Sequence, residues 1–232
     1  MMPSANLIDL SHWNVVETLT QCPGAGIDGV IHKCTEGTGK IDDKCAARYY
    51  LAKEANLYWG LYHFVRPGSM EDQVDNFLSR AGGADVLDVN TLLALDWEDA
   101  GVTIDQALEF LEMLEDKAQR SPVLYSGHVL KDALAGQPAS PSLTKYRLWL
   151  AQYASKPVLP PGYSDYWAWQ FTDKGQVPGI SPPTDLNECQ NFINWPGSST
   201  VPVPDQKIVT IDITTPDGVS VMVNINGEPV TS

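Results

Sequence analysis

Short apolar runs that alternate with stretches of helical periodicity confine this chain to a parallel α/β architecture. The runs occupy residues 6–9, 29–33, 58–64, 91–96, 122–126, 147–152 and 167–171, and each has the length of a strand rather than of a helix. Between them, Val74, Phe77, Leu78 and Ala81 fall at i, i+3, i+4 and i+7, with Ser69 as N-cap and Asp72 at the third helical position. Ile104, Ala107, Leu108 and Leu111 mark a second stripe, preceded by a Thr103/Gln106 capping-box pattern. Residues 44–56, rich in alanine and tyrosine, make a third helix. From about Pro138 to Pro183 the pattern decays, because prolines at 138, 141, 157, 160, 161, 178, 182 and 183 make helices hard to place. The expected fold is an α/β barrel, regular in its first half and degenerate in its second.

The barrel is assigned residues 1–196. The segment PGSSTVPVPDQ is small, polar and proline-rich, and residues 197–206 read as a linker. Residues 207–232 read as a small β-hairpin: Val209, Ile211 and Ile213 share one face, Val219, Val221, Val223 and Ile225 another, and TTPDG turns between them. A lone hairpin is marginal in water, so it is expected to pack on the barrel or to associate with a second copy of the chain. Net charge is −14, from 29 acids against 15 bases, which argues against a nucleic-acid partner. No run of 18 apolar residues exists, so no membrane span is expected. The start, MMPSANLIDLSHW, lacks a basic region followed by an apolar one, and a cytoplasmic location is expected until the protein is released to its site of action. Cys22, Cys34, Cys45 and Cys189 lack the CxxC spacing of zinc sites; free thiols are expected, with a Cys34–Cys45 bridge left open.

The chemistry gathers at strand ends. Asp96 and Glu98 close the run TLLALDWE; in a strand they face one way and Trp97 the other, with their Cα atoms roughly 6.5–7 Å apart. Two acids that close disfavour joint ionisation, and one proton is held above its usual range. A retained proton beside a carboxylate is the equipment of acid-assisted glycoside cleavage. Taken alone, Asp-Trp-Glu is equally a strand end whose acids cap a helix or meet solvent. Asp9 closes NLID, and Asp185 follows the last strand candidate in PPTDLN. In a parallel barrel such ends converge on one rim. Aromatic residues accompany them: Trp13, Tyr62, Tyr125, Trp149, Tyr153, Trp167 and Trp169 suit the stacking of sugar rings, or the packing of a core. Alternation puts Trp149, Ala151 and Tyr153 on one side, and Trp167, Trp169 and Phe171 on one side. His63 lacks a partner at metal-ligand spacing and reads as a structural histidine. Lys33 and Glu36, in KCTEGTG, lie on a strand-to-loop turn that is not a P-loop.

The blocks DLSHWN, KCTEGTG, GLYHF, LALDWE, VLYSG, LWLAQY, WAWQF and TDLN occur in the order found in glycoside hydrolase family 25, which this chain resembles over about residues 5–195. The resemblance implies an irregular TIM-like (β/α) barrel. It also implies a lysozyme: an N-acetylmuramidase that cleaves the β-1,4 bond between N-acetylmuramic acid and N-acetylglucosamine in bacterial peptidoglycan, as bacterial and phage lysins do. By matching motif it implies Glu98 as general acid, Asp96 as the group that orients or stabilises the reacting sugar, and Asp9 and Asp185 as the rest of an acidic floor. Tyr62, Tyr125, Trp149, Gln170, Lys33 and Glu36 become candidates for substrate binding. Neither metal nor cofactor is expected. Cys34 departs from the small residue common at its position in the family. The Asp-x-Glu spacing favours inversion or assistance by the substrate's own acetamido group over a covalent double displacement. A phage structural or tail-associated protein that binds glycan is the competing reading.

Overall fold

A computed structural model describes residues 3–83, 87–136, 141–192, 195, 224–225 and 228–229. The strands are β1 (Leu7–Leu10), β2 (Gly29–Glu36), β3 (Lys40–Ile41), β4 (Tyr58–Phe64), β5 (Leu92–Trp97), β6 (Val123–Ser126), β7 (Arg147–Ala151), β8 (Ala168–Gly175) and β9 (Thr184–Cys189). Their order is β1-β9-β8-β7-β6-β5-β4-β2-β3, and β1 also pairs with β2. The sheet therefore closes into an eight-stranded barrel, with the short β3 appended antiparallel to the end of β2. Neighbours from β1 through β8 around the barrel run parallel, whereas β9 is antiparallel to both β1 and β8.

The helices sit where the sequence carries its 3.6-residue stripes. They are α1 (Cys45–Glu54), α2 (Met70–Gly83) and α3 (Ile104–Ala118), followed by the shorter α4 (His128–Leu134) and α5 (Pro141–Thr144). Ser69 Oγ accepts from the Asp72 amide at 3.2 Å, and the Thr103/Gln106 capping box is formed in both directions. Outward residues of the strands, such as Ile8, Val30, Leu61, Leu93, Leu95, Trp97 and Leu148, pack with Val74, Phe77, Phe110, Leu111 and Leu114 of the helices. Each such fully buried side chain contributes about 1.5–3 kcal/mol. A second cluster fills the barrel itself, with Leu7, Ile31, Leu92, Ala94, Val123, Tyr125, Trp149 and Ala168. The i, i+2 alternation of each strand divides its residues between these two clusters.

The second half is irregular in the way the prolines suggest. The connection from β7 to β8, residues 152–167, forms no helix, and β8 turns directly into the antiparallel β9. Three sequence expectations need correction. The apolar runs of the sequence mark neither β9 nor β3. Trp167 and Trp169 do not share a side: Trp167 belongs to the interior cluster and Trp169 to the outer one, because β8 begins only at Ala168 and the alternation does not extend back to Trp167. Chain contacts divide the molecule into Met1–Ser198 and Ser199–Ser232. Within the second unit, Asn224–Ile225 pair antiparallel with Glu228–Pro229. Of the two expected hairpin runs, all of the first and residues 219–223 of the second lie outside the described residues; Ile225, which ends the second, pairs with Glu228. Among the described residues no helix is long and apolar enough to cross a membrane.

Candidate active site

The strand directions decide what meets at the barrel's C-terminal rim. Asp9 is the third residue of β1 and faces inward above Leu7. Because β9 runs the other way, its first residues arrive where the other strands end, and Asp185 stands directly opposite Asp9 in the β1/β9 register. Partners so placed in an antiparallel pair have Cα atoms about 4.5–5.5 Å apart. Asp9 is 7 % exposed, and its Oδ2 accepts from Gln170 Nε2 at 2.9 Å and from Asn187 Nδ2 at 2.9 Å. Burial raises the Asp9 carboxyl, while the two amides and a hydrogen bond from Asp185 oppose that rise. Burial, with Asp9, Asp173 and Glu98 nearby, pushes Asp185 up to about 8. The proton of this pair therefore sits on Asp185, which donates it to Asp9.

Strand β5 and the residue that follows it supply the other two acids. Trp97 points out among the helices, its indole N–H donating to Val102 O at 3.1 Å, so Asp96 and Glu98 point in. Asp96 is 5 % exposed, and its Oδ1 is buried with no hydrogen-bond partner. Burial, then the neighbouring Glu98, raises its carboxyl well above the usual range. Glu98 stands one step higher, open to solvent on one side and hemmed by protein on the other; this partial burial and Asp9 raise it too. Four carboxyl groups thus face one mouth; burial biases each toward holding a proton, and at Asp9 three hydrogen-bond donors work against that bias.

The remaining candidates divide. Tyr62 and Tyr125 lie inside the barrel beside the acids, and burial, with Asp96 and Asp9 near both and Glu98 near Tyr125, pushes both phenols well up. The Tyr125 hydroxyl donates to Gln170 Oε1 at 2.9 Å. Trp149 is 1 % exposed, packs edge-on to Tyr125 and donates its indole N–H to Asn187 Oδ1 at 2.6 Å. It is buried in the interior cluster, next to Tyr125 in the register that runs from Asp96. Lys33 and Glu36 are bound to each other at 2.7 Å. Glu36 also takes Lys40 at 2.8 Å and Arg66 at 2.9 Å, and Arg66 reaches on to Asp99 at 2.9 Å. Burial would raise Glu36, but its cations outweigh it and hold it at about 2. Glu36 is thus saturated by cations. His63 is buried between Thr35 and Gln73, and burial lowers it to about 4. The four cysteines are free and buried.

One residue of the site escaped the sequence reading: Asn187 bridges Asp9 and Trp149. Tyr153, named among the aromatics that accompany the acids, donates its hydroxyl to Gln170 Oε1 at 3.1 Å while remaining 56 % exposed. A signal for Asn187 was present: it stands two residues after Asp185, on the same strand face, as Glu98 does after Asp96. Trp13, 83 % exposed, leans on the His12 ring, which is held by the buried Asp42 at 3.0 Å. Among the described residues no three His, Cys, Asp or Glu side chains are grouped to hold a metal ion.

A parallel-dominated barrel with paired acids at the C-terminal rim of its strands defines a site for acid-assisted chemistry on a polar substrate. The family model for glycosyl hydrolases family 25 matches residues 8–180, and the chain belongs to that family. It is 29 % identical over 198 residues to Lysozyme M1 of Streptomyces globisporus, covering 78 % of this chain and 66 % of that protein. The curated relatives are longer, and the chain spans 51 % to 66 % of their length. The solved bacterial lysozyme of Streptomyces coelicolor superposes with a TM-score of 0.70 at 28 % identity, over 79 % of this chain and 91 % of that one. The CTP1L endolysin does so with a TM-score of 0.67 at 25 % identity, over 80 % of this chain and 66 % of that one.

Proposed function

We propose that this protein is a peptidoglycan lysozyme, an N-acetylmuramidase that acts as a phage or prophage lysin and reaches the wall after release from the cytoplasm. The observation that carries the reading is the convergence of Asp9, Asp96, Glu98 and Asp185 on one mouth, with Glu98 alone among the β5 acids open to solvent. Glu98 is the general acid: partial burial and the nearby Asp9 bias it toward keeping its proton, and its position at the rim lets it reach the leaving oxygen. Asp96 lies deeper with an unpartnered Oδ1, and a buried acceptor left unpaired costs about 1–3 kcal/mol. The acetamido N–H of a bound N-acetyl sugar satisfies it. That contact draws Asp96 to its ionised form, its proton passing to solvent, while Glu98 keeps its own. The acetamido oxygen, so aligned, attacks the anomeric carbon as Glu98 protonates the departing sugar, and water later opens the cyclic intermediate. Asp9 faces the same space with negative charge that stabilises the cationic intermediate.

Clearing of purified wall suspensions, followed by mass spectrometry of the released muropeptides, tests the proposal. New muramic acid reducing ends are expected. A new free amine with no reducing end would show amidase or peptidase action and overturn it, and binding without release would favour a glycan-binding protein.

A further inference from the structure

Two carboxamides, neither of which reaches the open mouth, converge on one carboxylate oxygen. Gln170 is 2 % exposed and Asn187 is fully buried. Each amide is held at its far end by donors. The Trp149 indole nitrogen can only donate, so the Asn187 atom 2.6 Å from it is the oxygen, and Asn187 must present its NH2 to Asp9 Oδ2 and to Leu7 O at 3.3 Å. On Gln170, the hydroxyls of Tyr125 and Tyr153 both reach Oε1, at 2.9 and 3.1 Å, which turns its NH2 to the same Asp9 oxygen. An oxygen that accepts two N–H bonds has no room for a proton of its own, so Asp9 could be protonated only at Oδ1, where the Asp185 hydroxyl competes as donor. The other titratable groups facing Asp9 are Asp185 from β9, Asp96 and Glu98 from β5, Tyr62 from β4, Tyr125 from β6 and Tyr153 after β7. Each is acidic or neutral, so none of them favours charge on Asp9. Only the amides and the Asp185 hydroxyl do.

We propose that Asn187 and Gln170 are positioning residues, aimed by Trp149, Tyr125 and Tyr153, that keep Asp9 ionised and thereby assign the protons of the mouth to its other three acids. This rests on the proposed hydrolase reading only for its consequence in catalysis; the charge assignment stands without it. One fixed negative charge among protonated neighbours gives the site a defined counter-charge for a developing cation and leaves Glu98 supplied with its proton. Tyr153 extends the arrangement to the surface: its ring is exposed while its hydroxyl holds Gln170, so a sugar lying on that ring presses on the group that sets the charge of Asp9.

The test is a carboxyl-carbon NMR titration of the full chain with labelled aspartate, in the native protein and in Asn187→Leu, Gln170→Met and Tyr153→Phe. In the native protein the Asp9 resonance is expected to titrate below that of Asp185. Loss of either amide is expected to raise the Asp9 midpoint by about one pH unit, a tenfold weaker hold on the charge, and to move the acidic limb of the kcat/KM profile for wall lysis upward with it. Tyr153→Phe removes only one hydroxyl from a half-exposed side chain, and is expected to move the midpoint the same way by less. It keeps the test available if a core variant does not fold. An Asp9 midpoint that is unmoved in every folded variant overturns the proposal, as does a native Asp9 that titrates above Asp185. Titration shifts in a protein that fails to release reducing ends would refute the lysozyme reading alone; lysis with unmoved titrations would refute this one alone.

Discussion

Asp185→Asn isolates the energetic consequence of crowding four acids at one mouth. In the folded protein Asp185 holds its proton up to about pH 8, against a value near 3.8 for an unhindered side chain. Between those limits the folded state binds one proton more than the unfolded state, so stability falls as pH rises, at up to about 1.4 kcal/mol per pH unit. Over the four-unit window, from 3.8 to about 8, the full effect integrates to about 6 kcal/mol. The side chain is partly open to water, and screening reduces this to about 3 kcal/mol. An asparagine keeps the shape and can still donate to Asp9, but it has no proton to lose. The two proteins should therefore match in stability near pH 4 and separate steadily above it. The variant should be the more stable by about 3 kcal/mol at pH 8, with no further gain beyond. Urea denaturation at unit pH intervals from 4 to 9 measures this. The native curve alone is not diagnostic, because burial of His32 and His63 lowers both to about 4 and destabilises the fold as pH falls below 6.5. The difference between the curves cancels that term. Parallel curves across the range would refute the placing of the proton on Asp185.

Glu98→Gln is expected to lower kcat for reducing-end release by about 10²–10⁴ while binding of wall glycan persists; full activity would remove Glu98 from the acid role. Asp96→Asn is expected to cost about 10² in kcat, since an amide orients the acetamido N–H poorly and carries no charge to yield, and an unchanged rate would show the carboxylate to be dispensable. Thr103→Ala breaks the capping box of α3, 3.2 Å from Thr103 Oγ1 to the Gln106 amide, and is expected to cost about 1 kcal/mol in chemical denaturation with no change in activity.

The parts of the fold legible in the sequence are those where burial is apolar. β4 and β5 are read directly because Trp59, Leu61, Leu92, Leu93 and Leu95 fill one cluster or the other, and α3 is read from its stripe and its capping box. The direction of β9 is not written in any local pattern. It follows from the short connection after β8, which spans 176–183 and can only return the chain antiparallel. β9 itself was invisible for a different reason. Its sequence, TDLNEC, lacks the alternation of apolar and polar residues by which a half-buried strand is recognised. Yet Thr184, Asn187 and Cys189 are buried, and Asp185 and Asn187 occupy the inward positions. Those positions are polar because they face the mouth, where Asp9 needs donors and a shared proton, so the same chemistry that hides the strand from a hydrophobic pattern is what makes it part of the site. Asp96 shows the converse. Its acid ends an apolar strand whose every residue is buried, and a charge at the end of such a run is costly unless its protonation or a ligand compensates. A polar residue on an inward position is therefore the signal to seek in a barrel of this kind, and β5 and β9 both carry it.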